Sequence, residues 1–178
     1  MLFRCIQVED RSAYLADTAR VTGDVVLGDG VSVWPSAVIR GDVARVTIGT
    51  GTNVQDNATV HCDSGHPNTI GDYVTIGHNA VVHGRAIGDG SLIGMHATVL
   101  GGTVIGQRCL IAAGALVPPG LEVPDDHVLM GVPGKVMRET NDKEKQYLAW
   151  LAEHYVKLAK RYHESPDDPA LRQYGSDR

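Results

Sequence analysis

Aliphatic residues recur every six positions through most of the chain. The series begins at Leu15 and ends at Val117, and thirteen of its sixteen intervals are six residues long. Glycine directly follows seven of its members, as in Leu27-Gly28. This period predicts an all-β solenoid in which each six-residue unit gives one short strand, a turn and one inward side chain. The series is Leu15, Val21, Leu27, Val33, Ile39, Ile48, Val54, Val60, Ile70, Ile76, Val82, Ile87, Ile93, Val99, Ile105, Ile111 and Val117.

The pattern changes towards the C-terminus. Prolines after Val117 predict that the repeat ends there. Asn141 with Glu144 three residues later is typical of a helix start. We therefore predict a β-solenoid domain over 1–140, a helix over 141–164 that packs along it, and a flexible tail over 165–178. The apolar stripe of the helix has 3–4 spacing and consists of Leu148, Leu151, Tyr155, Leu158 and Tyr162.

Composition limits the function classes. The 178 residues include 16 basic and 21 acidic side chains, a formal net charge of −5, so the chain has no basic surface for nucleic acid. The first residues contain no apolar run long enough for a signal peptide or a membrane span, which predicts an unprocessed cytoplasmic protein. Cys5, Cys62 and Cys109 lack metal-binding spacing and are expected to be buried apolar groups.

The repeat resembles that of the hexapeptide-repeat superfamily. The resemblance implies a three-sided, left-handed parallel β-helix in which three units, eighteen residues, make one coil. The seventeen units found here would then form between five and six coils. Residues eighteen core positions apart would lie directly above one another on the same face.

The three irregular intervals of the repeat lie beside the candidate site residues. Intervals 39–48 and 60–70 contain three and four extra residues, and interval 82–87 is one short. After the extra residues are subtracted, Arg40, His61 and His83 are eighteen positions apart and should form one column. Strands about 4.7–4.9 Å apart allow two stacked imidazoles to hold one ion. This register requires Val82 to face the core, because an inward Val81 would move His83 to another column.

His78 belongs to a different face. It lies thirteen core positions after His61 and should stack over Asp56. One solenoid cannot easily bring this ring around its own edge to the same ion, whereas a copy related by rotation can. We therefore predict a cyclic trimer with metal sites between subunits.

Six segments carry the remaining signal: Ile39-Arg40-Gly41-Asp42, Asn53-Val54-Gln55-Asp56-Asn57, Val60-His61, Gly77-His78, Val82-His83-Gly84 and Ile93-Gly94-Met95. Together they resemble the gamma-class carbonic anhydrase family over roughly residues 10 to 140. The resemblance implies a homotrimer that holds Zn²⁺, or Fe²⁺ in some members, with one ion at each subunit interface. His61 and His83 of one subunit and His78 of the next would be the ligands. The implied activity is that of a lyase, the reversible hydration of carbon dioxide to bicarbonate by a hydroxide that the metal generates.

The same resemblance implies roles around the metal. Gln55 is similar to the residue that orients the hydroxide, and Asp56 to the carboxylate that fixes this glutamine. Arg40 and Asp42 are similar to an ion pair that bridges subunits. A plain surface ion pair is the alternative for these two residues.

Two departures from the best-known members keep other functions open. Val43 stands where those members have a glutamate, and the short loop 62–69 lacks their acidic proton shuttle, for which Asp63 and His66 are the candidates. The chain thus resembles a short branch of the family. The alternatives are a related metal-dependent hydrolase or thioesterase, a hexapeptide acyltransferase, and an inactive homologue.

Overall fold

The structure is a computed structural model that describes residues 7–8 and 12–165, with side chains described for 12–165. The elements are short strands followed by a helix. They are β1 (Gln7–Val8), β2 (Tyr14–Leu15), β3 (Arg20–Leu27), β4 (Ser32–Val33), β5 (Val38–Ile48), β6 (Asn53–Val54), β7 (Thr59–Val60), β8 (Asn68–Ile70), β9 (Thr75–Ile76), β10 (Val81–Val82), β11 (Ala86–Ile87), β12 (Leu92–Ile93), β13 (Thr98–Val99), β14 (Val104–Ile105), β15 (Leu110–Ile111), β16 (Leu116–Val117), β17 (Glu122–Val123), β18 (His127–Gly131), β19 (Gly134–Glu139) and α1 (Asp142–Glu164).

The strands stack on three faces. The first face has the order β3, β5, β7, β10, β13, β16, and the second has β1, β3, β5, β8, β11, β14, β17. The long strands β3 and β5 continue around the edge between these two faces. The third face has the order β2, β4, β6, β9, β12, β15, β18, and β19 closes it as an antiparallel neighbour of β18. The predicted parallel β-solenoid with a C-terminal helix is therefore confirmed.

The predicted inward residues form the core. All members of the six-residue series from Leu27 to Val117 are buried. Leu15 is 38% exposed and Val21 is partly exposed, because no strand among the described residues pairs with β2 or with the first half of β3 on the outer side. Val82 is fully buried whereas Val81 is 38% exposed, which decides the register of the first face. Cys62 and Cys109 are buried as predicted, and Cys5 lies outside the described residues.

The prediction that the repeat ends after Val117 is wrong. Val123 and Leu129 continue the inward series and are buried. Pro118 directly follows β16 and Pro124 directly follows β17, the last strands of the first and second faces. A proline has no N–H to donate to a further coil, so it is tolerated at a sheet edge. The prolines thus mark the last strands of these two faces rather than interrupt the stack.

A polar column follows the edge between the third and first faces. Asn57, Asn79 and His96 all have left-handed backbone conformations, with φ of 59°, 59° and 58°. The N–H of His96 donates to the carbonyl of His78 in the preceding coil at 2.9 Å. Asparagine and histidine are among the side chains that tolerate this conformation. These residues therefore serve the turns of the solenoid.

Helix α1 covers the third face. Asn141 is its N-cap, and the Asn141 and Glu144 side chains accept each other's backbone N–H groups at 3.0 and 2.9 Å, which forms the predicted capping box. Trp34, almost fully buried, packs its ring 5.5 Å from that of Tyr155 and 5.2 Å from that of Tyr162. The helix stripe therefore packs on the chain's own solenoid. Of the predicted tail, all but Ser165 lies outside the described residues.

Candidate functional site

Two histidines lie one above the other at the edge between the first and second faces. Val60 pairs with Ile39 on one side and with Val82 on the other. The residues that follow these three, Arg40, His61 and His83, therefore form the predicted column. The rings of His61 and His83 have centroids 5.1 Å apart and an interplanar angle of 73°.

The two insertions in the repeat supply carboxylates to these rings. Asp42 lies in the insertion within β5, and its Oδ1 is 3.0 Å from Nε2 of His61. Asp63 lies in the loop between β7 and β8, and its Oδ1 is 2.9 Å from Nε2 of His83. The repeat is thus broken where an acidic side chain is brought to a histidine.

Arg40 extends this cluster. Its Nη1 lies 2.6 Å from Oδ2 of Asp42. Hydrogen bonds to His61 and then to Arg40 lower the pKa of Asp42. Within one chain, Arg40 and Asp42 therefore pair with each other. The bridging role implied by the resemblance requires a second copy and stays a prediction.

His78 lies on the other edge of the first face. Val54 pairs with Ile76, which places His78 over Asp56 as predicted, with Nδ1 of His78 2.9 Å from Oδ2 of Asp56. Among residues 12–165 of a single chain, no three histidine, cysteine, aspartate or glutamate side chains are grouped so that they could hold a metal ion. One chain therefore brings together His61 and His83 but not His78.

Gln55 is held beside His78. Its side chain is only 3% exposed, and its Oε1 accepts the backbone N–H of His78 at 3.2 Å. Its Nε2 donates to Oδ1 of Asn53 at 3.0 Å, and the Asn53 amide donates to Oγ1 of Thr75 at 2.9 Å. The resemblance implied that Asp56 fixes Gln55, but in the structure Asn53 makes this hydrogen bond. The sequence held a signal for Asn53, because residues two apart on a strand share a face.

An apolar groove opens next to Gln55, between the third face and α1. Its volume is about 220 Å³. Met95 and Tyr147 at its rim are about half exposed. The lining also includes Leu92, Leu110, Leu151 and Tyr155. Gln55 is thus a polar side chain in the lining of a mostly apolar groove.

The loop between β7 and β8 carries the two candidates for proton transfer. Asp63 is engaged with His83 as described, and Nδ1 of the exposed His66 lies 2.9 Å from the carbonyl oxygen of Ser64. Cys62 is buried at the base of the loop, and this burial raises the pKa of its thiol. A role of Asp63 or His66 in proton transfer stays a prediction.

Comparison with known proteins places the chain in a family. The family model Bacterial transferase hexapeptide (six repeats) matches residues 86–119, and the model Hexapeptide repeat of succinyl-transferase matches residues 67–95. A Methanocaldococcus jannaschii protein named Probable carbonic anhydrase is 47% identical over 149 residues, which cover 84% of this chain and 94% of that protein. The Arabidopsis thaliana protein named Gamma carbonic anhydrase 2, mitochondrial is 39% identical over 92% of this chain. The chain belongs to the gamma-class carbonic anhydrase family.

Family members differ in length and in name. The chain spans 61% of the length of the Arabidopsis protein, and 58% of the length of Gamma carbonic anhydrase 1 from the same plant. A solved structure titled hexapeptide transferase family protein, from Anaplasma phagocytophilum, is 36% identical and superposes with a TM-score of 0.84 over 88% of this chain and 92% of that one. The shared solenoid therefore occurs in proteins whose names indicate different chemistry.

Proposed function

We propose that this protein is a metal-dependent carbonic anhydrase that catalyses the reversible hydration of carbon dioxide to bicarbonate. The observation that supports this most directly is the stacked pair of His61 and His83, with ring centroids 5.1 Å apart and a carboxylate on each ring. Membership of the gamma-class carbonic anhydrase family gives independent support.

The donor set fits a divalent cation. Three imidazoles suit Zn²⁺ or Fe²⁺, and neutral histidines leave the full charge of the ion available. His61 and His83 would come from one subunit and His78 from the next, because the described part of one chain does not group all three. The protein would therefore be a homotrimer with one ion at each subunit interface. Once bound, the metal supplies a hydroxide at neutral pH.

The chain's own residues position this chemistry. The carboxylates of Asp42, Asp56 and Asp63 each contact one nitrogen of a candidate ligand ring, which fixes the orientation of the ring. Gln55 is held by Asn53 and faces the apolar groove. Carbon dioxide is apolar, so the groove provides a suitable approach to this side chain.

Metal analysis and a hydration assay test the proposal. We expect anaerobically purified protein to contain about one Zn²⁺ or Fe²⁺ ion per chain and to hydrate carbon dioxide. The His78→Ala variant should lose both metal and activity, whereas His154→Ala, which removes an exposed histidine of α1, should keep both. Metal at this ratio without hydration would contradict the proposed activity. A monomer that binds metal fully would contradict the shared site.

Acyl transfer is the second candidate, and the name of the Anaplasma phagocytophilum relative favours it. An acyltransferase would be stabilised against heating by coenzyme A and would not need metal. A hydrolase or thioesterase would use the same metal site on esters, so esters belong in the assay beside carbon dioxide.

A cytoplasmic location stays a prediction. Across the described residues, no helix has the length and apolar character that a membrane crossing needs.

A further inference from the structure

In two later coils, a backbone hydrogen bond closes the turn at the edge between the first and second faces. In both coils, the residue after the inward aliphatic accepts an N–H from the residue three positions on. Thr103 donates in this way to Leu100 at 3.4 Å, and Leu121 to Pro118 at 3.3 Å. Each of these two turns is therefore fixed by its own main chain.

At His61 this hydrogen bond is made by a side chain. The four inserted residues separate His61 from Asn68, which occupies the same column position as Thr103 two coils later. Nδ2 of Asn68 donates to the carbonyl of His61 at 2.8 Å. The amide thus replaces the turn hydrogen bond that the insertion breaks, and it closes the loop that carries Asp63.

The position of Asn68 is unfavourable for folding. The side chain is fully buried, and in the described part of the chain its Oδ1 has no hydrogen-bond partner. Val46, which pairs with Asn68 in register, fills the same position in the preceding coil with an apolar side chain. A buried amide oxygen without a partner costs free energy of folding. Core packing alone therefore does not account for asparagine here.

We propose that Asn68 is a positioning residue of the candidate metal site. It fixes the main chain of His61 and holds the loop closed, so that Asp63 reaches His83. The expected effect, tighter metal binding, rests on the proposed function. The closure of the loop does not, because it concerns the metal-free chain as well.

The Asn68→Val variant separates positioning from stability. It places the residue type of Val46 at this site and removes the unpartnered oxygen. We expect the affinity for Zn²⁺, measured by competition with a chromophoric chelator, to fall about tenfold. The Tm of the metal-free variant should change little, because removal of the unpartnered oxygen offsets the loss of the hydrogen bond to the His61 carbonyl.

Thr103→Val is the matched control. Thr103 is fully buried at the same column position, and its Oγ1 donates to the carbonyl of Pro118 at 3.1 Å, away from any candidate ligand. Loss of this hydrogen bond should lower Tm and leave Zn²⁺ affinity unchanged. An unchanged affinity in Asn68→Val, or a loss of affinity that merely follows a lower Tm, would overturn the proposal.

A measurement on the metal-free protein tests the role of Asn68 independently of the proposed function. We expect a protease that cleaves before aspartate to cut at Asp63 about two to ten times faster in Asn68→Val than in the wild type. Equal rates would overturn the role of Asn68 even if the metal site is real. If the wild type binds no metal, the proposed function fails and the cleavage rates still decide the role of Asn68. If Asn68→Val does not fold, Asn68→Thr introduces the residue found at position 103 and replaces it in both measurements.

Discussion

Asp56 lies one coil from His78 on the same edge of the solenoid, with its carboxylate 2.9 Å from Nδ1 of the imidazole. Their side chains are 39% and 35% exposed, and an ion pair at such a site adds little to stability. A carboxylate on one ring nitrogen orients the other nitrogen for a metal. Under the proposed function, the contact therefore serves metal binding more than folding.

We expect Asp56→Ala to weaken Zn²⁺ binding by about 10- to 100-fold. Its Tm should change little, because the lost ion pair is largely solvent-exposed. Competition titration and thermal unfolding measure the two effects. Asp29→Ala, at an exposed aspartate on a different edge, should change neither quantity. A lower Tm with unchanged affinity in Asp56→Ala would show that Asp56 is structural.

Gly101 provides the space that Asp63 occupies beside His83. A Cβ atom at Gly101 would collide with Oδ2 of Asp63. The side chain of Asp63 is 53% exposed and can move away, so Gly101→Ala should alter stability by less than about 0.5 kcal/mol. It should weaken Zn²⁺ binding to the same extent as Asp63→Ala. A double variant should then bind no more weakly than either single one, and additive losses would contradict the shared mechanism.

Ile76 tests the register of the core. It is fully buried between neighbouring coils, so Ile76→Ala should reduce the free energy of unfolding by about 2–5 kcal/mol. Val81→Ala, at an outward position of the next strand along the chain, should change it by less than about 0.5 kcal/mol. Denaturant titration measures both. Equal effects would mean that the inward series is misassigned.

The start of α1 should be sensitive to acid. Arg138 forms two hydrogen bonds with the Glu144 carboxylate, at 2.7 and 2.8 Å, and this contact, followed by the N–H of Asn141, lowers the pKa of Glu144 to about 2. A carboxyl whose pKa is lower in the folded state stabilises that state above its unfolded pKa, near 4.5, and this contribution is lost as the pH falls towards 2. Tm should therefore fall over this range.

Glu144→Gln provides the comparison for this pH dependence. It should have a lower Tm than the wild type at pH 7, because it loses the charge-assisted contact with Arg138. Its Tm should fall less between pH 4.5 and about pH 2, since one carboxyl no longer titrates. Circular dichroism melts at several pH values measure the difference. Parallel curves for the two proteins would contradict the assignment to Glu144.

The regular part of the molecule could be predicted because a single spacing governs it. Strand stacking requires one inward residue per unit, so the period identified Val82 as inward and placed Arg40, His61 and His83 in one column. The prolines led to the wrong prediction that the repeat ends after Val117. A proline cannot donate a hydrogen bond to a further coil, so it ends a stack of strands, but the strand that precedes it still forms. Leu15 departed from the core pattern because it lies in the first coil.

The contacts of the site could not be predicted in the same way. Asp42 and Asp63 lie in insertions, where the period no longer gives the direction of the chain, so their contacts with His61 and His83 became visible only in the structure. Asn53 was expected to be structural, and its hydrogen bond with Gln55 agrees with a spacing that places both on one face of a strand. Side chains inside the repeat can thus be placed by counting, and those outside it cannot.

Strand β19 runs against the direction of every other strand that the structure describes on the third face. A stack of parallel coils presents the same unpaired edge after each addition, so nothing in the repeat itself limits its growth or prevents two molecules from joining end to end. The reversed strand offers an incoming coil a mismatched edge. On the third face, where no proline directly follows the last parallel strand, this hairpin therefore ends the stack, whereas Pro118 and Pro124 end the stacks of the other two faces.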